Sequence, residues 1–210
     1  DPLVLTMDGK GIVMRKEDLR EEARKEAERR EAAGTTSDDK RQGRKRMATV
    51  ATVYSIAPHV RTAEDVMGGL ESVGKKDHRP KVRPHARNNR VWASVADPPD
   101  RVTREVFREA MRRDPKKRRS CVVLVDGDPN QIDRIKAQAR RHHVAITLIL
   151  DFIHVLEYLW KAAHAFHGEG RDDAVEEWVR ERALKILDGR CTDVAAGVRR
   201  SATLRELRRK

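Results

Sequence analysis

Three short apolar runs, each closed by an aspartate, constrain the architecture of this chain more than anything else in it. Asp8 follows Leu3-Val4-Leu5-Thr6-Met7, Asp126 follows Cys121-Val122-Val123-Leu124-Val125, and Asp151 follows Val144-Ala145-Ile146-Thr147-Leu148-Ile149-Leu150. Apolar runs of this length between turn residues predict buried strands. In open α/β sheets, ligand and metal chemistry gathers at the carboxyl ends of such strands. Carboxylates are hard oxygen ligands suited to Mg²⁺ or Mn²⁺, and neighbouring ones can hold a metal pair for phosphoryl transfer. An aspartate at a strand end also has a plainer use, which is to cap the strand and open a turn. Pattern alone leaves both readings open.

The rest of the chain supplies the elements between these strands. A Gly9-Lys10-Gly11 turn should lead to a second extended segment at Ile12-Val13-Met14. Residues 16–33 read as a charged helix with a thin stripe of Leu19, Ala23 and Ala27, and residues 34–46 read as a polar loop. Residues 47–57 form the best strand of the first half, whereas residues 58–90 are basic, contain proline and lack periodicity, so an irregular insertion is expected. A strand at 91–95 and an amphipathic helix at 103–113 follow, the latter turning Val106, Phe107, Ala110 and Met111 inward. Residues 121–150 alternate strand, helix and strand, with Asn130 as the expected helix cap. From residue 152 onward the pattern is helical, with inward faces at Ile153, Leu156, Trp160 and Ala163, then Trp178, Val179 and Ile186, then Val194, Val198 and Leu204. This is the element order of a ribonuclease-H-like core, so the expected fold class is α/β, a mixed five-stranded sheet with helices on both faces and a helical insertion at the C-terminal end.

Charge points to the partner. A chain of 210 residues with a formal net charge of +12 and a pI near 10.1 carries its basic side chains in clusters. Clustered cations imply a polyanion, most simply nucleic-acid phosphate. The segment holding Lys81, Arg83, Arg87 and Arg90 has a high charge density, and its prolines and absent periodicity suit phosphate contact better than a base-reading helix. A solvated basic surface is the bland alternative. Cys121 and Cys191 are the only cysteines, which excludes a disulfide framework and a cysteine-based zinc motif. No apolar stretch approaches the length of a membrane span. The first residues, Asp1-Pro2-Leu3, show no signal peptide, so a cytoplasmic, nucleoid-associated fragment without membrane contact is expected.

Four stretches carry a family resemblance. They are Leu5-Thr6-Met7-Asp8-Gly9-Lys10-Gly11, Leu124-Val125-Asp126-Gly127, residues 150–160 with Leu150-Asp151-Phe152-Ile153-His154 at their head, and residues 194–203. Together they resemble bacterial insertion-sequence transposases of the ISKra type, relatives of the Mutator and ISL-type DDE transposases. The resemblance runs over essentially the whole chain and is most specific in residues 150–160. It implies a ribonuclease-H-like catalytic core over residues 1–151, then a helical insertion over residues 152–210 that stops before the third acid. It further implies Asp8 and Asp126 as catalytic residues and ligands of Mg²⁺ or Mn²⁺, with Asp151 and His154 as auxiliaries matching the signature after the second acid. The implied activity is metal-dependent cleavage and transfer of DNA strands at transposon ends, on double-stranded DNA, by a homo-oligomer when full length. The family's third acid, a glutamate beyond the helical insertion, has no counterpart among these 210 residues. An inactive relative that keeps only DNA binding is therefore the alternative.

Other groups have weaker chemical readings. Asp126-Gly127-Asp128 is an Asp-x-Asp at a strand end, a pattern shared by metal-dependent phosphatases and nucleotide-sugar transferases, but Pro129 follows where the phosphatase register calls for Thr or Val. Asp151 and His154 share a helix face, and the plain alternative is a cap and a half-buried histidine. His164 and His167 lack partners for zinc, and Trp92, Trp160 and Trp178 sit among apolar residues at core spacing.

Overall fold

The structure is a computed structural model that describes residues 1–15, 17–32, 44–71, 83–168 and 173–207. The chain divides into two compact units, Asp1–Ala57 with Ala86–Ile149, and Pro58–His85 with Leu150–Lys210.

The first unit is built on a five-stranded mixed sheet. Its strands are β1 (Leu3–Val13), β2 (Lys45–Ser55), β3 (Arg87–Ser94), β4 (Cys121–Val125) and β5 (Ile146–Leu150), in the spatial order β3-β2-β1-β4-β5. β1 runs antiparallel to β2 from Leu3↔Ser55 to Val13↔Lys45, and β2 runs antiparallel to β3. β1 pairs in parallel with β4 from Leu3↔Cys121 to Thr6↔Leu124. The helices of this unit are α1 (Glu21–Ala32), α3 (Pro99–Arg113) and α4 (Pro129–Arg141). Alternation along the strands decides the core: Leu3, Leu5 and Met7 of β1, Ala51 and Val53 of β2, and Cys121, Val123 and Val125 of β4 share one buried cluster. Val102, Val106, Phe107 and Ala110 of α3 and Ile135 and Ala139 of α4 belong to the same cluster. The turn into α4 is set by Pro129 at its first position and by Gly127, whose φ of 101° is a left-handed conformation that side chains resist.

Helices alone form the second unit among the described residues: α2 (Ala63–Glu71), α5 (Phe152–His167), α6 (Asp173–Leu187) and α7 (Cys191–Leu204). Their core gathers Met67, Leu159, Ala163, Val175, Val179, Ala183 and Val194, flanked by Phe152, Leu156, Trp160 and Trp178. Glu64 of α2 pairs with Arg180 of α6. No described helix is long and apolar enough to cross a membrane.

Several expectations need correction. Gly9-Lys10-Gly11 is not a turn: β1 continues through it, because β2 pairs with it residue by residue as far as Val13. Gly9 lies so close to β2 that an added Cβ would stand 3.1 Å from Met47 Cε. Residues 58–90 are not irregular throughout. They contain α2, capped when Thr62 Oγ1 accepts from Asp65 N and Asp65 Oδ2 from Thr62 N, and also the start of β3, held by its ladder to β2. Lys45 and Arg46 belong to β2 rather than to the loop expected over residues 34–46, most of which lies outside the described residues. Asp128, not Asn130, caps α4, accepting from Asn130 N at 3.0 Å. The inward face of α5 holds Phe152, Leu156, Leu159 and Ala163, leaving Ile153 about half exposed, and Leu204 in the last turn of α7 is exposed.

Candidate functional site

Strand register sets Asp8 and Asp126 at corresponding positions, one on β1 and one just past β4. Each lies two residues beyond the last parallel pair, Thr6↔Leu124, on neighbouring strands that in any sheet are about 4.8 Å apart. Asp8 is still inside β1, opposite Val50, and its side chain is exposed. Alternation places it on the sheet face opposite Leu3, Leu5 and Met7. Asp126 is the first residue past β4 and is half-buried. Its Oδ1 accepts from Asp128 N at 2.9 Å, an Asx turn that fixes the carboxylate while Oδ2 takes no part in that bond. From beneath, the buried Gln131 donates Nε2–H to the Met7 carbonyl at 2.9 Å. The first turn of α4 is thereby tied to the backbone immediately before Asp8.

Asp128 has a structural task. Besides capping α4 it stands 3.7 Å from Arg134, so the second acid of the Asp-x-Asp pattern is engaged locally. Asp151 and His154 lie in the second unit. Asp151 Oδ1 accepts from Ile153 N at 2.9 Å and caps α5, and His154 Nδ1 is 3.5 Å from Glu157 Oε2 one turn on. His164 Nδ1 meets the Gly168 carbonyl at 3.2 Å, and His167 meets the edge of Trp178. Among the described residues, no group of three or more His, Cys, Asp or Glu is arranged to hold a metal ion.

The basic residues singled out in the sequence have different surroundings. Lys81 lies outside the described residues, and Arg83 is exposed just before β3. Arg87 opens β3 and is exposed. Arg90, also on β3, donates Nη1–H to Glu109 Oε2 at 2.8 Å, and its guanidinium lies 5.2 Å from the centre of the Trp92 ring.

Glu109 is the polar residue that sequence reasoning missed. It sits on the inward stripe of α3 between Val106 and Ala110 and is only 4% exposed. Three guanidiniums converge on it. Arg112 donates Nε–H to Oε2 at 3.0 Å and Nη2–H to Oε1 at 2.8 Å, Arg113 donates Nε–H to Oε1 at 2.7 Å, and Arg90 completes the set. The hydrogen bonds from Arg112 and then Arg113 outweigh burial, and they hold the carboxyl at about 2, well below its ordinary 4.5. The signal was a glutamate three residues before paired arginines on an otherwise apolar stripe, but the strand that buries it could not be placed from sequence. An open groove of about 340 Å³ runs over this cluster, lined by Arg90, Trp92, Glu105, Arg108, Glu109 and Arg112. A larger depression of about 530 Å³ lies at α4 and β5, lined by Lys136, Arg140, His143 and Val144 among others, and includes neither Asp8 nor Asp126.

Comparisons with protein-family models, with curated proteins and with solved structures each return no match to this chain.

Proposed function

We propose that the chain is the catalytic portion of a ribonuclease-H-like DNA transposase that cleaves and transfers strands with Mg²⁺ or Mn²⁺. One observation carries the reading. An antiparallel β1–β2–β3 set with β4 added in parallel at β1 brings Asp8 and Asp126 to matching positions on neighbouring strands. Asp8 and Asp126 are the residues that would hold the cation, which when bound supplies positive charge against a scissile phosphate. Asp126, steadied by its own turn, presents a fixed oxygen, while Gln131 restrains the backbone leading into Asp8. The surplus of cations in the chain provides the attraction that draws a polyanion in.

The absence of a third acid beside this pair, among the described residues, favours a second reading in which DNA is bound without being cut. Titration with Mn²⁺, followed by the spin-resonance signal of the free ion, together with nicking of supercoiled plasmid, tests both. Asp8→Asn and Asp126→Asn should each weaken Mn²⁺ binding by tenfold or more while leaving circular dichroism unchanged. Metal-dependent nicking that disappears in both variants supports catalysis. Mn²⁺ and DNA binding without nicking supports the second reading. Unaltered Mn²⁺ binding in either variant removes the site.

A further inference from the structure

We propose that the outer edge of the sheet, at β3 and α3, is a binding surface for the DNA phosphodiester backbone. Arg90, Arg104, Arg108 and Arg112 are its contacts, and Glu109 is a positioning residue beneath two of them. The proposal rests on the DNA reading above but concerns different residues from the metal site.

Neutralising one buried carboxylate does not require three guanidiniums. Arg113 is the most enclosed of the three: its side chain is 13% exposed, and it also donates to the Val53 and Asn88 carbonyls. The side chains of Arg90 and Arg112 are 59% and 70% exposed, so both guanidiniums are open to solvent while they hold Glu109. Three cations on one anion leave an excess of two positive charges at this point. Arg112 is gripped through two nitrogens, so much of the freedom a long side chain loses on binding is already lost before a ligand arrives.

The surrounding charges reinforce this. Arg104, Arg108 and Arg112 recur every four residues along one side of α3, a spread of about 12 Å at the rise of an α-helix. Neither the Arg104 nor the Arg108 side chain has a hydrogen bond or ion pair among the described residues, whereas Glu105, the other acid of the groove, faces Arg101 at 3.5 Å. The same field is felt by His142, whose proton affinity is lowered first by burial and then by Arg141, Lys117 and Arg108. Trp92 lies in the groove with the Arg90 guanidinium over its ring, so it is not free to stack on a base. The surface therefore contacts phosphate and does not read sequence.

The test is fluorescence anisotropy with a labelled duplex of arbitrary sequence, titrated at several salt concentrations. Arg108→Ala with Arg112→Ala should weaken binding on the order of tenfold and flatten the log–log salt dependence by about 2, roughly one for each lost phosphate contact. Glu109→Gln separates positioning from charge. It removes a negative charge, so simple electrostatics demands tighter binding, whereas loss of the scaffold under Arg90 and Arg112 gives weaker binding at a temperature where circular dichroism shows the variant folded. If Glu109→Gln does not fold, the double arginine variant decides alone. Wild-type affinity and salt slope in the double variant would mean that these arginines only solubilise the sheet edge, and absence of duplex binding by the unaltered chain would overturn the proposal directly. Mn²⁺ binding at Asp8 and Asp126 is a separate readout that the arginine substitutions leave unchanged, so the two proposals can fail independently.

Discussion

Replacing Glu109 by glutamine should destabilise the sheet unit by an amount that depends on pH, and that dependence identifies the cause. The carboxyl is held at about 2 in the folded chain against an ordinary 4.5. A depressed folded value means that the charged form stabilises the fold above about pH 4.5, and that this stabilisation fades as pH falls towards 2. A difference of that size corresponds to about 3.5 kcal/mol at most, at roughly 1.4 kcal/mol per unit. Because Arg90 and Arg112 reach solvent, screening lowers the working figure to about 2 kcal/mol. Glutamine keeps the shape and one acceptor but leaves Arg113 without its carboxylate at 13% exposure, so a cost of about 2–3 kcal/mol is expected at neutral pH. Urea unfolding read through Trp92 fluorescence, in a background with Trp160→Phe and Trp178→Phe, confines the signal to the sheet unit. The gap between the parent and Glu109→Gln should shrink by roughly half or more between pH 6 and pH 3. A gap of constant size across that range would mean that Glu109 matters for its packing and that its charge contributes nothing.

Three further outcomes are expected. Gln131→Ala should cost about 1–3 kcal/mol, because it strands the Met7 carbonyl in the core; calorimetry would read this as a lower Tm, and an unchanged Tm would mean the bond contributes nothing. Gly127→Ala should cost about 1–2 kcal/mol, since φ is 101° there, and the loss should appear in urea unfolding without altered far-UV circular dichroism. Cys191 is exposed and should react with a thiol reagent at once, whereas Cys121 is buried, its thiol pushed up to about 11 by desolvation and then by Asp114, and should react only on unfolding; mass spectrometry distinguishes the two.

The legibility of the fold varied with how local its causes are. β4 was legible to the residue because its apolar run stops sharply at Ser120 and Asp126. β3 was not, since Arg87-Asn88-Asn89-Arg90 has no apolar alternation and is a strand only because β2 offers it a ladder. The start of α2 was written in Thr62 and Asp65, a reciprocal cap passed over for lack of an apolar stripe. Similarly, Pro129 marks the first turn of α4 and so points to Asp128 as the cap, two residues ahead of the asparagine expected. For the site, the alignment of Asp8 with Asp126 follows from two strands with the same spacing between apolar run and acid, a pattern any reader of the sequence can see. The Glu109 cluster depends on which strand lies across α3, and no local pattern carries that information.

The place of β1 in the sheet has a consequence for the order in which the protein assembles. Its antiparallel partner β2 is about 40 residues downstream, but its parallel partner β4 is 118 residues away, as the pair Leu3↔Cys121 shows. Closing the longer loop costs more entropy, and pairing across such separations slows folding. During synthesis the β1–β2–β3 meander can form while the flank of β1 that will receive β4 still has its N–H and C=O groups unpaired. Until residues 121–125 arrive, that flank is an open template for strands from other chains. Hydrogen exchange pulsed during refolding should accordingly protect Val53 and Trp92 before Val123, and Asp126 would reach its place beyond β4 only in the last step.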